Sequence, residues 1–560
     1  MKSAVKAVVL FALFGAVLAH AQPVPGQFEH VILVIQENRT PDNLFGGNPT
    51  FEPGVDLQPA TGAQPWCLGA CFDPNHGNSS WKGQYNAGGN ACGNEILAGC
   101  LNNTKCNGQP VCSGSGCIGL QNPIQLPSCT PDTYVSATYD NSVVSPYFDI
   151  AQKYGFANYF YQTNQGPSQS AHDFLFGGTS SPTGSSSGSN GQYLFDFAAG
   201  NPSPAPTKPT GCLAPQTQYR SLINPDAQIF TNYYYPCFDH QTLYDMLKAA
   251  GLTWKYYTND STDIWTAPNG ISHLCVPEVN PQTGQLQCTG SDFTSNVVTP
   301  PTAIFADFPL GTNLPGGNGQ GVCHIPNVSW VIPNGDWSDH PGLSGGESST
   351  GIEGGPNWVA NIINAVGNAT CKDEIGNKPW QDTVIFVVWD DWGGWYDHLA
   401  TEIPQGYYEV NWPNCTPEYG DTNLYWGCGY TYGFRVPFLV VSAYTNDRTV
   451  SGFCTQGVDC PNNVFPHEHD FGSILAFIEY NFGLQVGGIN LGNGFPFADY
   501  YAPELQANRS AVPLADFFNL TTAKNFEAIT TTGNSFTLNY FQNYSGPAVD
   551  PDNDAIDPQN

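Results

Sequence analysis

The residues best suited to chemistry lie at the ends of apolar runs. Val31-Ile32-Leu33-Val34-Ile35 leads into Gln36-Glu37-Asn38-Arg39, and Thr383-Val384-Ile385-Phe386-Val387-Val388-Trp389 leads into Asp390-Asp391. Clustered carboxylates resist ionising together unless a cation neutralises them. Brought to one rim, Glu37, Asn38, Asp390 and Asp391 would therefore form an oxygen-rich cradle for a divalent metal. Taken singly, each strand end also reads as an exit into solvated loop. A metal beside a hydroxyl lowers its pKa and generates a nucleophile, the role an alkoxide plays in ester hydrolysis. Ser168 in Gly166-Pro167-Ser168-Gln169-Ser170-Ala171-His172 offers that hydroxyl behind a Gly-Pro turn, with His172 four residues on. If a helix begins after Ser168, its free N–H groups would point at an anion held on the serine. His340, between two turns, is a candidate acid or phosphate ligand. His76 in Asp73-Pro74-Asn75-His76-Gly77 and His273 in Ile271-Ser272-His273-Leu274 are loop or strand-end histidines, open to structural and functional readings alike.

The elements that must position these groups follow from periodicity. Val31–Ile35 is continuous and largely β-branched, as in a strand buried on both faces, and 383–389 and 436–441 read likewise. Ligands of open α/β sheets sit outside the carboxyl ends of the strands, where Glu37 and Asn38 fall. Helices are expected over 145–155, over 242–251 with Gly251 ending it, and over 358–366. Another is expected over 470–482, where apolar residues recur on one face. Shorter strands are expected over 252–258 and 330–333. Strand and helix alternating across the chain imply an α/β fold, a large, mostly parallel sheet with helices on both faces. Gly342-Leu343-Ser344-Gly345-Gly346 matches a hydrolase nucleophile elbow by chance, because a His-Pro turn precedes it and a Gly/Ser loop follows.

Composition bounds the partners. Residues 1–21 begin with Lys2 and Lys6, continue through an apolar stretch too short to span comfortably and end in Ala19-His20-Ala21, the pattern of a cleaved secretory signal peptide. All eighteen cysteines lie beyond it. Such usage fits export and disulfides, although Cys67-x3-Cys71 and Cys112-x4-Cys117 have spacings that zinc can also use. The net charge of −31 and pI near 4.3 repel phosphates at long range. They argue against nucleic acid and against electrostatic docking on anionic membranes. With no later stretch long and apolar enough to span and no lipid-anchor motif, no stable membrane anchoring is expected. With only five arginines in the chain, a metal ion is the natural source of positive charge for an anionic substrate. The Gly/Ser tract 179–191 and the Pro-rich 201–209 read as surface insertions in one large domain.

Several motifs then occur in order. Glu37-Asn38-Arg39 with Phe45-Gly46 comes first, followed by Gly166-Pro167-Ser168 with Gly178-Thr179 and by Ser338-Asp339-His340-Pro341. Asp390-Asp391 through Gly393-Gly394-Trp395-Tyr396-Asp397-His398 and Phe471-Gly472-Ser473 through Phe482-Gly483-Leu484 complete the series. Through them the chain, from about His30 to Phe518, resembles the secreted bacterial and fungal phosphoesterase family of phospholipases C and acid phosphatases. That family is itself similar in fold to alkaline phosphatase.

The resemblance implies an enzyme acting on phosphoric ester bonds of small-molecule or lipid phosphate mono- or diesters. It implies one divalent metal ion on Glu37, Asn38, Asp390 and Asp391, and a phosphoseryl intermediate on Ser168. It also implies phosphate-side histidines at His76, His273 and His340. Oxygen ligands favour calcium, magnesium or manganese, and nearby histidines admit zinc. The organisation expected is a signal peptide over 1–21, a phosphoesterase domain over 22–545 and an acidic tail over 546–560. The domain would carry a Cys-rich insertion over 67–129 and a Gly/Ser/Pro-rich one over 179–240. The family's usual His-Thr pair is replaced by Pro466-His467-Glu468-His469, which leaves the roles of His467 and His469 open, and Arg39 reads as a phosphate clamp or as the partner of a carboxylate. A sulfatase is disfavoured because no Cys-x-Pro-x-Arg or Ser-x-Pro-x-Arg occurs. The competing reading is a non-catalytic secreted glycan- or cell-wall-binding protein on a phosphoesterase scaffold.

Overall fold

The computed structural model describes residues 23–58, 76–78, 81, 105–106, 109–110, 143–182, 197–223, 229–308, 322–340, 354–399, 433–452, 468–490 and 497–548, apart from single residues and short runs within them. The signal segment, nearly all of the Cys-rich insertion, Ser344, His467 and most of the acidic tail lie outside the described residues.

Eight strands form the central sheet: β1 His30–Gln36, β2 Gly155–Ala157, β3 Trp254–Tyr257, β4 Val297–Val298, β5 Val328–Val331, β6 Thr383–Trp389, β7 Phe438–Ser442 and β8 Thr449–Ser451. They lie side by side as β4-β3-β5-β1-β6-β7-β2-β8. Every pairing is parallel except those of β7, which runs against β6 and β2. The third apolar strand therefore does belong to the sheet, but in the opposite direction, because the chain leaves β6 and enters β7 at the same rim. All seven residues of both β1 and β6 are buried, as a sheet covered on both faces requires.

Six helices matter for the site and its support: α1 Pro41–Phe45, α2 Ser145–Lys153, α3 Ser168–Gly177, α4 Leu243–Ala249, α5 Gly354–Gly367 and α6 Phe471–Asn481. Thr40 caps α1, accepting from the Asn43 N–H at 3.1 Å, and Asp470 caps α6, accepting from the Ser473 N–H at 2.9 Å. The helix expected to reach Gly155 stops at Lys153, because Gly155 opens β2 in a space where a side chain would strike Phe517 at 2.8 Å. Disulfides join Cys212 to Cys237, Cys275 to Cys288 and Cys323 to Cys371. No helix among the described residues is long and apolar enough to cross a membrane.

Candidate functional site

β1 and β6 are paired in register from His30 with Thr383 to Gln36 with Trp389. The next residues, Glu37-Asn38 and Asp390-Asp391, therefore emerge side by side at one rim. The Asp390 N–H still donates to the Gln36 carbonyl at 2.9 Å. Beyond it the pairing passes to side chains, with the Asn38 N–H donating to Asp390 Oδ1 at 3.0 Å and the Asp391 N–H to the same oxygen at 2.7 Å. Asn38 takes a left-handed backbone, φ 61°, a conformation asparagine tolerates better than most residues.

The Asn38 side chain is the hub. In the amide orientation that matches donors to acceptors, its oxygen accepts from His340 Nε2 at 2.9 Å and His76 Nε2 at 3.2 Å. Its nitrogen then donates to Asp390 Oδ1 at 3.1 Å and Asp391 Oδ1 at 3.3 Å. His76 and His340 thus join the strand ends. The turn carrying His76 is tied to the serine loop by Asn78, which donates to the Gln165 carbonyl at 2.9 Å.

Ser168 is the first residue of α3, and its hydroxyl lies 3.4 Å from Asp391 Oδ2. One turn on, His172 places Nε2 3.0 Å from Glu37 Oε1 and 3.9 Å from Asp390 Oδ2. Residues four apart share a helix face, so α3 delivers a hydroxyl and an imidazole together to the two strand ends. The helix start was expected to present free N–H groups to an anion. Instead the Gln169 N–H donates to Asn201 Oδ1 at 3.1 Å and the Ser170 N–H to the Pro167 carbonyl at 3.1 Å.

Glu37, Asn38, His76, Ser168, His172, His340, Asp390 and Asp391 are all buried. Ligand atoms of Glu37, His172 and Asp390 lie within 4.8 Å of one another. Asp390 Oδ2 and His172 Nδ1 receive no hydrogen bond. Burial pushes His172 down to about 4, leaving the neutral imidazole that carries a lone pair. Carboxylate oxygens and one neutral imidazole converging on a buried point suit a divalent cation.

His273 stands apart. It is exposed, bonded to Asp239 at 2.8 Å and to Asp245 at 3.0 Å, and those carboxylates, Asp245 above all, push it up to about 9. The structure does not bring it together with His76 and His340: the turn from Ser272 to Cys275 sets it against Asp239 and Asp245, at the start of α4. His469 is also elsewhere, buried between Glu504 at 2.5 Å and Asp516 at 3.1 Å. Arg39 donates to the Asp339 backbone carbonyl at 2.5 Å and lies over the Trp395 ring at 5.0 Å. It clamps the His340 turn against the strand ends. A further buried cluster, Asp42 with Asp397 and His398, already contains a fixed cation, since Arg435 donates to both Asp397 oxygens at 2.9 and 3.0 Å.

Fold and site define an α/β protein with a buried carboxylate, imidazole and hydroxyl centre at the carboxyl rim of its two central strands. Residues 28–485 match the Phosphoesterase family, and the chain belongs to that family. Among curated relatives, Phospholipase C A of Mycobacterium tuberculosis is 27% identical over 256 residues, 44% of this chain and 40% of that protein. Non-hemolytic phospholipase C of Burkholderia pseudomallei is 26% identical over 254 residues, 42% of this chain and 31% of its own. The Pseudomonas aeruginosa protein of the same name is 26% identical over 178 residues, 30% and 21%. The chain thus matches less than half the length of each of these relatives. Among solved structures, a protein in the alkaline phosphatase superfamily from Vibrio parahaemolyticus aligns with 84% of this chain and 71% of its own, at 10% identity and a TM-score of 0.28.

Proposed function

We propose that the protein is a secreted, metal-dependent phosphoesterase that hydrolyses phosphate mono- or diesters, those of phospholipids included, through Ser168. The observation that carries this reading is the arrival of Ser168 and His172 on one face of α3 at the two carboxylate strand ends. Glu37, His172 and Asp390 would hold a divalent ion, with Asn38 and Asp391 beside them; when bound it supplies positive charge for phosphate oxygens and for an ionised serine. Asp391 Oδ2 receives the proton of Ser168 as the serine oxygen attacks phosphorus in line. The bond from phosphorus to the leaving oxygen breaks as that from Ser168 forms. His76 and His340, oriented through Asn38, line the phosphate side of the centre, and a histidine or water protonates the departing oxygen. Water then cleaves the phosphoseryl ester and restores the hydroxyl.

Ser168→Ala should abolish turnover of p-nitrophenyl phosphate and of its phosphorylcholine diester while metal content is unchanged. Full activity in that variant would sink the assignment. Parallel assays with the monoester, the diester and phosphatidylcholine micelles rank the substrate classes. Binding of glycans with no turnover of any ester would favour the binding-protein reading.

A further inference from the structure

The same two strands that carry the candidate centre carry a second cluster at their other end. His30 opens β1, Asp382 immediately precedes β6, and the register sets His30 opposite Thr383, so the two side chains start from neighbouring positions. Asp373 completes the group. Ligand atoms of His30, Asp373 and Asp382 lie within 4.8 Å of one another, and all three residues are buried. Seven residues at about 3.3 Å each separate His30 from Glu37, so the two clusters are roughly 23 Å apart.

Two observations distinguish this group from a chance gathering of acids. Asp382 is 4% exposed and Asp373 6%, yet neither oxygen of Asp382, nor Asp373 Oδ2, receives a hydrogen bond of ordinary geometry. The polar neighbours of Asp382 include Asp373 itself and Asn377. Two buried carboxylates side by side, with only Asn377 among the described residues as a side-chain donor in reach of Asp382, are costly, and a cation is the usual remedy. The second observation is the rigidity of the frame. The Asn377 N–H holds Asp373 Oδ1 at 2.7 Å, the Asp373 N–H donates to the Asn377 carbonyl at 3.0 Å, and the Cys323–Cys371 disulfide lies two residues away. His30 Nδ1 lies 3.0 Å from the Pro326 carbonyl. A ring that donates there keeps its lone pair on Nε2, the tautomer of a metal ligand with a backbone partner. A cavity of about 510 Å³ lined by His30, Asp373, Glu29 and His324 opens beside the group and gives an ion a way in.

We propose that His30, Asp373 and Asp382 form a second divalent-cation site, of the mixed imidazole and carboxylate type that takes zinc or manganese, at the amino-terminal end of the central strands. Its role is structural: it pins the start of β1 to the start of β6, whose far ends are the candidate centre. The site stands whether or not the protein hydrolyses phosphate esters.

The test uses the full, disulfide-intact chain, stripped with chelator, equilibrated with increments of zinc chloride and counted by elemental analysis. Asp382→Asn and His30→Gln should each bind one zinc per chain fewer than wild type, whereas Asp390→Asn should keep the zinc that those two lose. Equal zinc in wild type, Asp382→Asn and His30→Gln would overturn the proposal and leave Asp373 and Asp382 as a pair sharing a proton. Should either variant fail to fold, anomalous diffraction at the zinc edge from crystals of the unaltered chain decides. A peak about 2.0–2.2 Å from a His30 ring nitrogen supports the site, and none there with two zinc ions supplied per chain refutes it.

Discussion

Gly393 lies two residues beyond Asp391, and replacing it by alanine tests whether Asn38 is the hub of the centre. At φ +62° an added Cβ would sit 2.5 Å from the Asn38 carbonyl oxygen and 2.7 Å from Asn38 Cβ. Ordinary contact begins at 3.4 Å, so Asn38 and the Gly393 turn must part by about 0.9 Å. The left-handed backbone adds a cost of about 1–2 kcal/mol for alanine. Asn38 has little freedom to yield, because its N–H is held by Asp390 and its amide by two imidazoles and two carboxylates. The shift therefore passes into the cradle. Misplacement by about 1 Å costs on the order of 10²-fold in a positioned reaction, so kcat/KM for p-nitrophenyl phosphate should fall roughly 10- to 100-fold, with reduced metal occupancy. Gly284→Ala is the control. Gly284 has φ +72° with nothing within 4 Å of its Cβ position, so it carries the backbone cost alone and should keep full activity. If Gly393→Ala hydrolyses at the wild-type rate and loses no more stability than Gly284→Ala, the placement of Asn38 does not control the chemistry.

Dialysis against chelator should remove activity, and Asp390→Ala should lower metal occupancy by elemental analysis, since it removes the carboxylate that Asn38 donates to and that lies beside Glu37 and His172. His273→Gln should leave kcat/KM within about twofold of wild type, because an exposed side chain away from the centre carries little energy; a loss of tenfold or more would return His273 to the site. His469 gives a pH prediction. Burial alone would lower it, but Asp516 and Glu504 outweigh burial and push it up to about 10. A folded pKa above the ordinary 6.5 means stability fully present below about pH 6.5 and lost as pH rises through about 10. His469→Gln should therefore lower unfolding free energy by about 3–5 kcal/mol at pH 6, as for other broken buried ion pairs, and the gap measured by denaturant titration should narrow above pH 10. A gap independent of pH would show that His469 is neutral.

Much of the fold was legible because burial on both faces leaves a plain mark. The strand expected over 383–389 has those bounds in the structure, and the helix expected over 470–482 spans Phe471–Asn481 with Asp470 as its cap. The direction of β7 was not legible, since an apolar run reads the same either way and the return path from Trp389 is a tertiary choice. Asp390 and Asp391 could be placed because two adjacent parallel strands in register must end together. His273 could not be excluded, because its sequence context does not encode that Asp239 and Asp245 stand ready to hold it.

His172 is the instructive omission. It stands in the Gly166–His172 run, four residues after Ser168, and a helix beginning there, which would put both on one face, was one reading of that run. What one residue run could not supply was the partner, Glu37, 135 positions away. The His172 ring stacks near Trp265 at 6.3 Å, and burial keeps it neutral beside Glu37 and Asp390. A protonated imidazole there would cancel one negative charge and compete with a cation; a neutral one offers a lone pair. The burial that lowers His172 thus keeps a neutral nitrogen donor beside the carboxylates at this rim.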